Sequence, residues 1–144
     1  MVKHARIFLV EDNLADVWLI EEALHRRAVD YVLEHYSNAE EAVHAVRQCG
    51  KDGVPIPDLM LLDYNLPRGD GRDVLIAASE NPNLAKVPKA VLSSFLRPEE
   101  LDRALQLGIR CFIPKPTGLE ELLTTVGDKV TELLEPAKES GAAS

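Results

Sequence analysis

Apolar residues gather in short blocks along the chain, and longer stretches with helical spacing separate them. The blocks Arg6–Glu11, Tyr31–Tyr36, Leu59–Asp63, Ala90–Ser93 and Arg110–Ile113 read as strands. They are mostly continuous rather than alternating, as parallel strands covered on both faces require. The stretches between them carry helix start signals. Asn13 with Asp16, Ser37 with Glu40, Asp70 with Asp73 and Thr117 with Glu120 each set a capping residue three positions before an acid. Pro98 suits the first position of a further helix, with Glu99 and Glu100 at its positive end. Gly50 and Gly108 are the expected stops of the second and fourth helices. Strand–helix units repeated in this way predict a doubly wound α/β sheet.

Length and composition narrow the class. A chain of 144 residues, 46% apolar and 28% charged, fits one globular domain that needs no staples. The net charge of −8 argues against nucleic acid and acidic membranes as partners. No apolar run approaches the roughly 18 residues of a membrane span. The opening MVKHARIFLVED turns acidic too soon for a signal peptide, so a cytoplasmic location is expected. Cys49 and Cys111 lack motif spacing, and His4, His25, His35 and His44 have no zinc spacing. Residues 135–144, rich in Ala, Gly and Ser, are expected to form a flexible tail.

Chemistry in an open parallel sheet sits beyond the carboxyl ends of its strands. Strand one runs into Glu11 and Asp12, and strand three into Asp63. Strand four ends in Ser93 and Ser94, and strand five leads through Pro114 to Lys115. Each residue alone has an ordinary reading as a cap or a solvated loop side chain. Together they crowd three carboxylates on one edge, where like charges raise one another's pKa unless something positive neutralises them. A hard cation with oxygen ligands, helped by Lys115, would do so, and the pattern reads as a magnesium and phosphate site.

The pieces LVEDN, LLDYNLPRGDG, VLSS and FIPKP also carry a family likeness. Over about residues 5–134 the sequence resembles the receiver domains of two-component response regulators. The resemblance implies a (βα)5 flavodoxin-like fold with sheet order 2-1-3-4-5. It implies Asp63 as phosphoacceptor, with Glu11, Asp12 and the Asn65 main-chain carbonyl organising Mg²⁺. It implies Ser93 as the switch hydroxyl, Phe112 as the switch aromatic and Lys115 as the phosphoryl contact. A sensor histidine kinase would be the phosphodonor. Phosphorylation would switch the face made by the fourth helix, fifth strand and fifth helix. The segment EDNLADVWLIEEAL, and the expected lack of an output domain, look most like stand-alone regulators paired with bacterial phytochromes.

Some positions depart from the commonest family pattern. Glu11 stands where Asp is usual, and Ser93 where Thr is usual. Pro114 removes a backbone donor beside Lys115, which an edge strand tolerates. Phe95, two residues past Ser93, is expected to screen attacking water. A degenerate receiver would lack Asp12, Asp63 or Lys115, and all three are present. A small aspartate-nucleophile phosphatase would often place a second acid two residues after Asp63, where this chain has Asn65.

Two surface expectations complete the reading. Leu119, Leu123, Val126, Val130 and Leu133, widened by Leu122 and Leu134, form a stripe on the last helix. That helix is expected to reach about Leu134, its end overhanging the domain and making a homodimer. On the first helix, Ile20, Ala23 and Leu24 take the core side. Trp18 is then expected to face outward with Leu14, Glu22 and His25, as a partner contact.

Overall fold

The computed structural model describes residues 4–66 and 68–135. Strands β1 (Ala5–Val10), β2 (Tyr31–Tyr36), β3 (Leu59–Leu62), β4 (Lys89–Ser93) and β5 (Cys111–Pro114) form one parallel sheet in the order 2-1-3-4-5. Helices α1 (Leu14–Arg26) and α5 (Leu119–Leu133) cover one face. Helices α2 (Ala39–Gln48), α3 (Gly71–Ser79) and α4 (Pro98–Gln106) cover the other.

Alternation within the buried strands builds two cores. Ile7, Leu9, Leu59, Leu61 and Leu92 pack under α1 and α5. Phe8, Val10, Met60, Leu62 and Val91 pack under α2, α3 and α4. Each such side chain contributes about 1.5–3 kcal/mol when it leaves water, so both faces hold the central strands in register. That register aligns the strand ends: Val10 lies beside Leu62 on β3 and Tyr36 on β2.

Most predicted boundaries hold to within a residue. Asn13 caps α1 by accepting from the amides of Ala15 and Asp16. Asp70 and Asp73 form a full reciprocal capping box at α3. At α2 the cap is Asn38, not Ser37, and its side chain accepts from the Glu41 amide at 2.9 Å. Strand β2 runs through Tyr36, so Ser37 is used up in the turn that brings Ala39 onto the core. At α5 the cap is Gly118, and Thr117 makes no capping bond. Glu120, expected as its acid, instead pairs with Arg26 of α1 at 2.8 Å. Gly108 follows α4 with φ of +102°, the left-handed stop that its position predicted.

The overhang of the last helix is not found. Helix α5 ends at Leu133, which is 4% exposed, and Leu134 packs against the same core. Leu122, Leu123, Val126 and Val130 are buried with it, so the stripe covers the sheet and α1. Only Leu119, at the helix start, stands out in solvent. The prediction failed because α1 packs along α5 and the core of that face takes in Leu133. Residues 136–144 of the expected tail lie outside the described residues.

Candidate functional site

The sheet ladder continues past the strand ends and fixes the site backbone. The Glu11 amide donates to the Tyr36 carbonyl at 3.0 Å, and the Asp63 amide to the Val10 carbonyl at 2.9 Å. The Lys115 amide donates to the Ser93 carbonyl at 3.0 Å. Pro114 is the last residue of β5, an edge strand, so its missing N–H costs no ladder bond. Helix α3 begins close against this loop. A Cβ at Gly71 would sit 2.6 Å from the Asp63 carbonyl oxygen, so only glycine permits that approach.

Three carboxylates meet where these backbones end. Ligand oxygens of Glu11, Asp12 and Asp63 all lie within 4.8 Å of one another. Glu11 is fully buried, Asp63 nearly so, and Asp12 is exposed at the mouth. Lys115 reaches in from the end of β5. Its Nζ lies 2.7 Å from Glu11 Oε1, 2.8 Å from Asp16 Oδ2 and 3.4 Å from Asp63 Oδ2.

Electrostatics follow from that packing. Burial pushes the Glu11 carboxyl up to about 7, against the opposing pull of the Lys115 ammonium. Burial alone would lower Lys115, but Asp16, Glu11 and Asp63 outweigh it and hold the ammonium above its ordinary range. The donor set is all oxygen, with Asp12 opening toward solvent. It fits a hard divalent cation such as Mg²⁺ rather than a soft metal.

Of the other predicted residues, Asn65 and Ser93 are tied to this cluster. Ser93 is buried at the end of β4, and its Oγ donates to the Phe95 carbonyl at 3.2 Å. Asn65 joins the two halves: its amide donates to Asp63 Oδ1 at 3.0 Å, and its Nδ2 to Ser93 Oγ at 3.4 Å. Phe112 sits on β5 opposite Val91, half-buried against the α2–α3–α4 core. The Phe95 ring is 67% exposed. Trp18 is 62% exposed on the outer side of α1, beside exposed Leu14, while Val17, Ile20, Ala23 and Leu24 are buried.

Two contacts escaped the sequence reading. Asp16 was assigned to a helix cap, yet its side chain holds Lys115. No helix spacing links it to the site, because Asp12 precedes the cap of α1. His35, passed over as a strand residue, lies with Nε2 2.7 Å from the Glu11 carbonyl oxygen. A carbonyl only accepts, so that nitrogen carries the proton and pins the Glu11 backbone.

A 2-1-3-4-5 sheet with an acidic cluster and a lysine across its carboxyl edge defines a receiver-type site. The chain belongs to the response regulator receiver domain family, whose model matches residues 7–127. Response regulator Rcp1 of Synechocystis sp. is 34% identical over 121 residues, covering 83% of this chain and 82% of that protein. The crystal structure of the phosphorylated cyanobacterial phytochrome response regulator RcpA superposes with a TM-score of 0.81 at 36% identity, covering 94% of this chain and 96% of that one. The Mn²⁺-bound form of Rcp1 also gives a TM-score of 0.81, at 32% identity, covering 92% and 96% of the two chains. Among the described residues no helix is long and apolar enough to cross a membrane.

Proposed function

We propose that this chain is a phosphorylation-switched signalling module, and not a conventional enzyme, that takes a phosphoryl group on Asp63 in a Mg²⁺-dependent reaction. The observation that carries the reading is the meeting of Lys115 with Glu11, Asp16 and Asp63 beside a fourth acid, Asp12. Phosphoryl transfer asks a protein mainly for positioning and charge neutralisation, and both are built in here. A carboxylate oxygen of Asp63 attacks phosphorus, the bond to the donor's leaving group breaks, and an acyl phosphate remains on Asp63. Lys115 neutralises phosphoryl oxygen, and the Asn65 amide, already on Asp63 Oδ1, holds the nucleophile in orientation. Mg²⁺, held by Glu11, Asp12, Asp63 and the Asn65 carbonyl, would supply further charge neutralisation as a Lewis acid.

The switch follows from charge. New negative charge on Asp63 draws the Ser93 hydroxyl away from the Phe95 carbonyl, and the half-buried Phe112 takes the space beside it. The face of α4, β5 and α5 then changes. The donor in this reading is a sensor histidine kinase; the likeness to RcpA, a phytochrome response regulator by name, favours a bacterial phytochrome. Exposed Trp18 is its contact on α1, and exposed Leu105 and Leu119 support a homodimer across α4, β5 and α5.

The test is incubation with Mg²⁺ and a small phosphodonor, followed by mass spectrometry of the intact chain. One phosphoryl group is expected on the parent and none on Asp63→Asn; equal labelling of both would refute the assignment. Trp18→Ala is expected to label normally from the small donor but poorly from a kinase. A monomer at high concentration by light scattering would remove the homodimer from the reading.

A further inference from the structure

A cleft of about 280 Å³ opens between the first turns of α3 and α4, lined by none of the carboxylate cluster's residues. Tyr64 lines it. This residue is 4% exposed, and its hydroxyl is the one buried side-chain polar atom without a hydrogen-bond partner among the described residues. Leaving a buried phenol unpaired is costly, so such a group normally finds a partner.

The charges around the cleft are unevenly committed. Arg97 is tied to Glu100 at 3.3 Å, and Glu100 also accepts from the Arg97 amide at 3.0 Å. Asp70 is occupied in capping α3, accepting from the amides of Arg72 and Asp73. The guanidinium groups of Arg72 and Arg103 line the same cleft with no hydrogen bond or ion pair among the described residues. Three arginines and three acids line the cleft, and of these Arg72 and Arg103 share it with the partnerless Tyr64 hydroxyl while making no hydrogen bond of their own among the described residues. The cleft also lies at the positive ends of two helices, each 9 residues long.

We infer that this cleft is an anion-binding site, separate from the carboxylate cluster, for a small ligand carrying a phosphate or carboxylate group. The guanidinium forks of Arg72 and Arg103 match either oxyanion in bidentate geometry, and the Tyr64 hydroxyl supplies a third donor. The volume admits a fragment-sized metabolite rather than a nucleotide. The bound group would sit against the residue that follows Asp63, so the site adjoins the acceptor loop without sharing its ligands.

The test is an NMR titration of the full chain without Mg²⁺, with inorganic phosphate in one arm and malonate in the other. Saturable shifts are expected at the Arg72 and Arg103 side-chain Nε–H groups and at the Tyr64 amide. The tighter of the two probes assigns the ligand to phosphate esters or to carboxylic acids. Arg72→Gln combined with Arg103→Gln should weaken binding about tenfold or more. Tyr64→Phe, which keeps the ring packing, should weaken it about threefold. Shifts confined to the surroundings of Lys115, no saturation by about 50 mM, or full affinity in the double variant would each overturn the site.

Discussion

Two lysines, Lys89 buried and Lys115 largely so, lie at opposite ends of the same sheet, and they meet the cost of burial in different ways. Lys89 opens β4 and is 5% exposed; its Nζ donates to the carbonyls of Leu84 at 2.7 Å and Val87 at 2.9 Å. Lys115 follows β5 and is surrounded by carboxylates instead. Burial holds the Lys89 pKa below its ordinary value, with Arg110 adding to the shift, whereas Lys115 is held above its own. Neutral dipoles at the amino edge make a structural clamp. Formal charges at the carboxyl edge make a group that can exchange one anionic partner for another, which suits it to phosphoryl oxygens.

Removing each ammonium should separate the two roles most widely. Lys115→Met leaves buried Glu11 beside Asp63 with no cation. Labelling of Asp63 by a small phosphodonor is expected to fall about 100-fold or more. Stability should also fall by about 3 kcal/mol, the low end for a broken buried pair, because Glu11 can take up a proton instead. Lys89→Met removes the donor to the Leu84 and Val87 carbonyls but also lifts a desolvation cost. It should lose about 1 kcal/mol in urea unfolding and label at the parent rate. Equal labelling defects in the two variants would mean that Lys115 is only another clamp.

Titration sharpens the contrast because the shifts have opposite signs. Lys89 has a folded pKa below its unfolded value, so the unfolded chain binds more protons between the two. Its contribution to stability should rise as pH climbs toward 10.5. Lys115 has a raised folded pKa, so its contribution is present below 10.5 and lost as pH rises through the folded value. Glu11 is also raised, from 4.5 to about 7, so without metal the native state holds an extra proton across that window. Stability of the metal-free protein should therefore decline from pH 4.5 to 7, and Mg²⁺ affinity should grow over the same range as the proton leaves. Isothermal titration of Mg²⁺ at several pH values checks this. A flat profile would contradict the placement of Glu11 in the binding cluster.

The two lysines also mark what the sequence makes legible. Lys115 could be found because topology puts every strand's carboxyl end on one edge, and the motif around it repeats a family pattern. Lys89 could not, since a lysine opening a strand gives no sign that two carbonyls wait for it. The capping errors have the same origin. Ser37 and Asn38 are nearly equal caps, and only the burial of Ala39 and Ala42 decides between them. The stripe of α5 was correctly seen as apolar, but its partner was a matter of how far the core extends, which is not a local property. Leu133 shows this most directly, buried where the chain alone suggested exposure.

Asp16 tests the smallest difference between the two ammonium sites. Among the described residues it is the only partner of Lys115 outside the three acids that gather within 4.8 Å of one another. Its side chain is 24% exposed, so water can replace part of what it gives. Asp16→Asn should keep a hydrogen-bond acceptor near Nζ while removing one charge, at a cost of about 1 kcal/mol in urea unfolding. Freed from one competitor, Lys115 stays within reach of Asp63, so labelling by a small donor should change by about threefold or less. If labelling instead falls as far as in Lys115→Met, Asp16 is part of the acceptor machinery. The carboxylate edge would then work as a set of four acids around one lysine, and not as three acids with an outlying anchor.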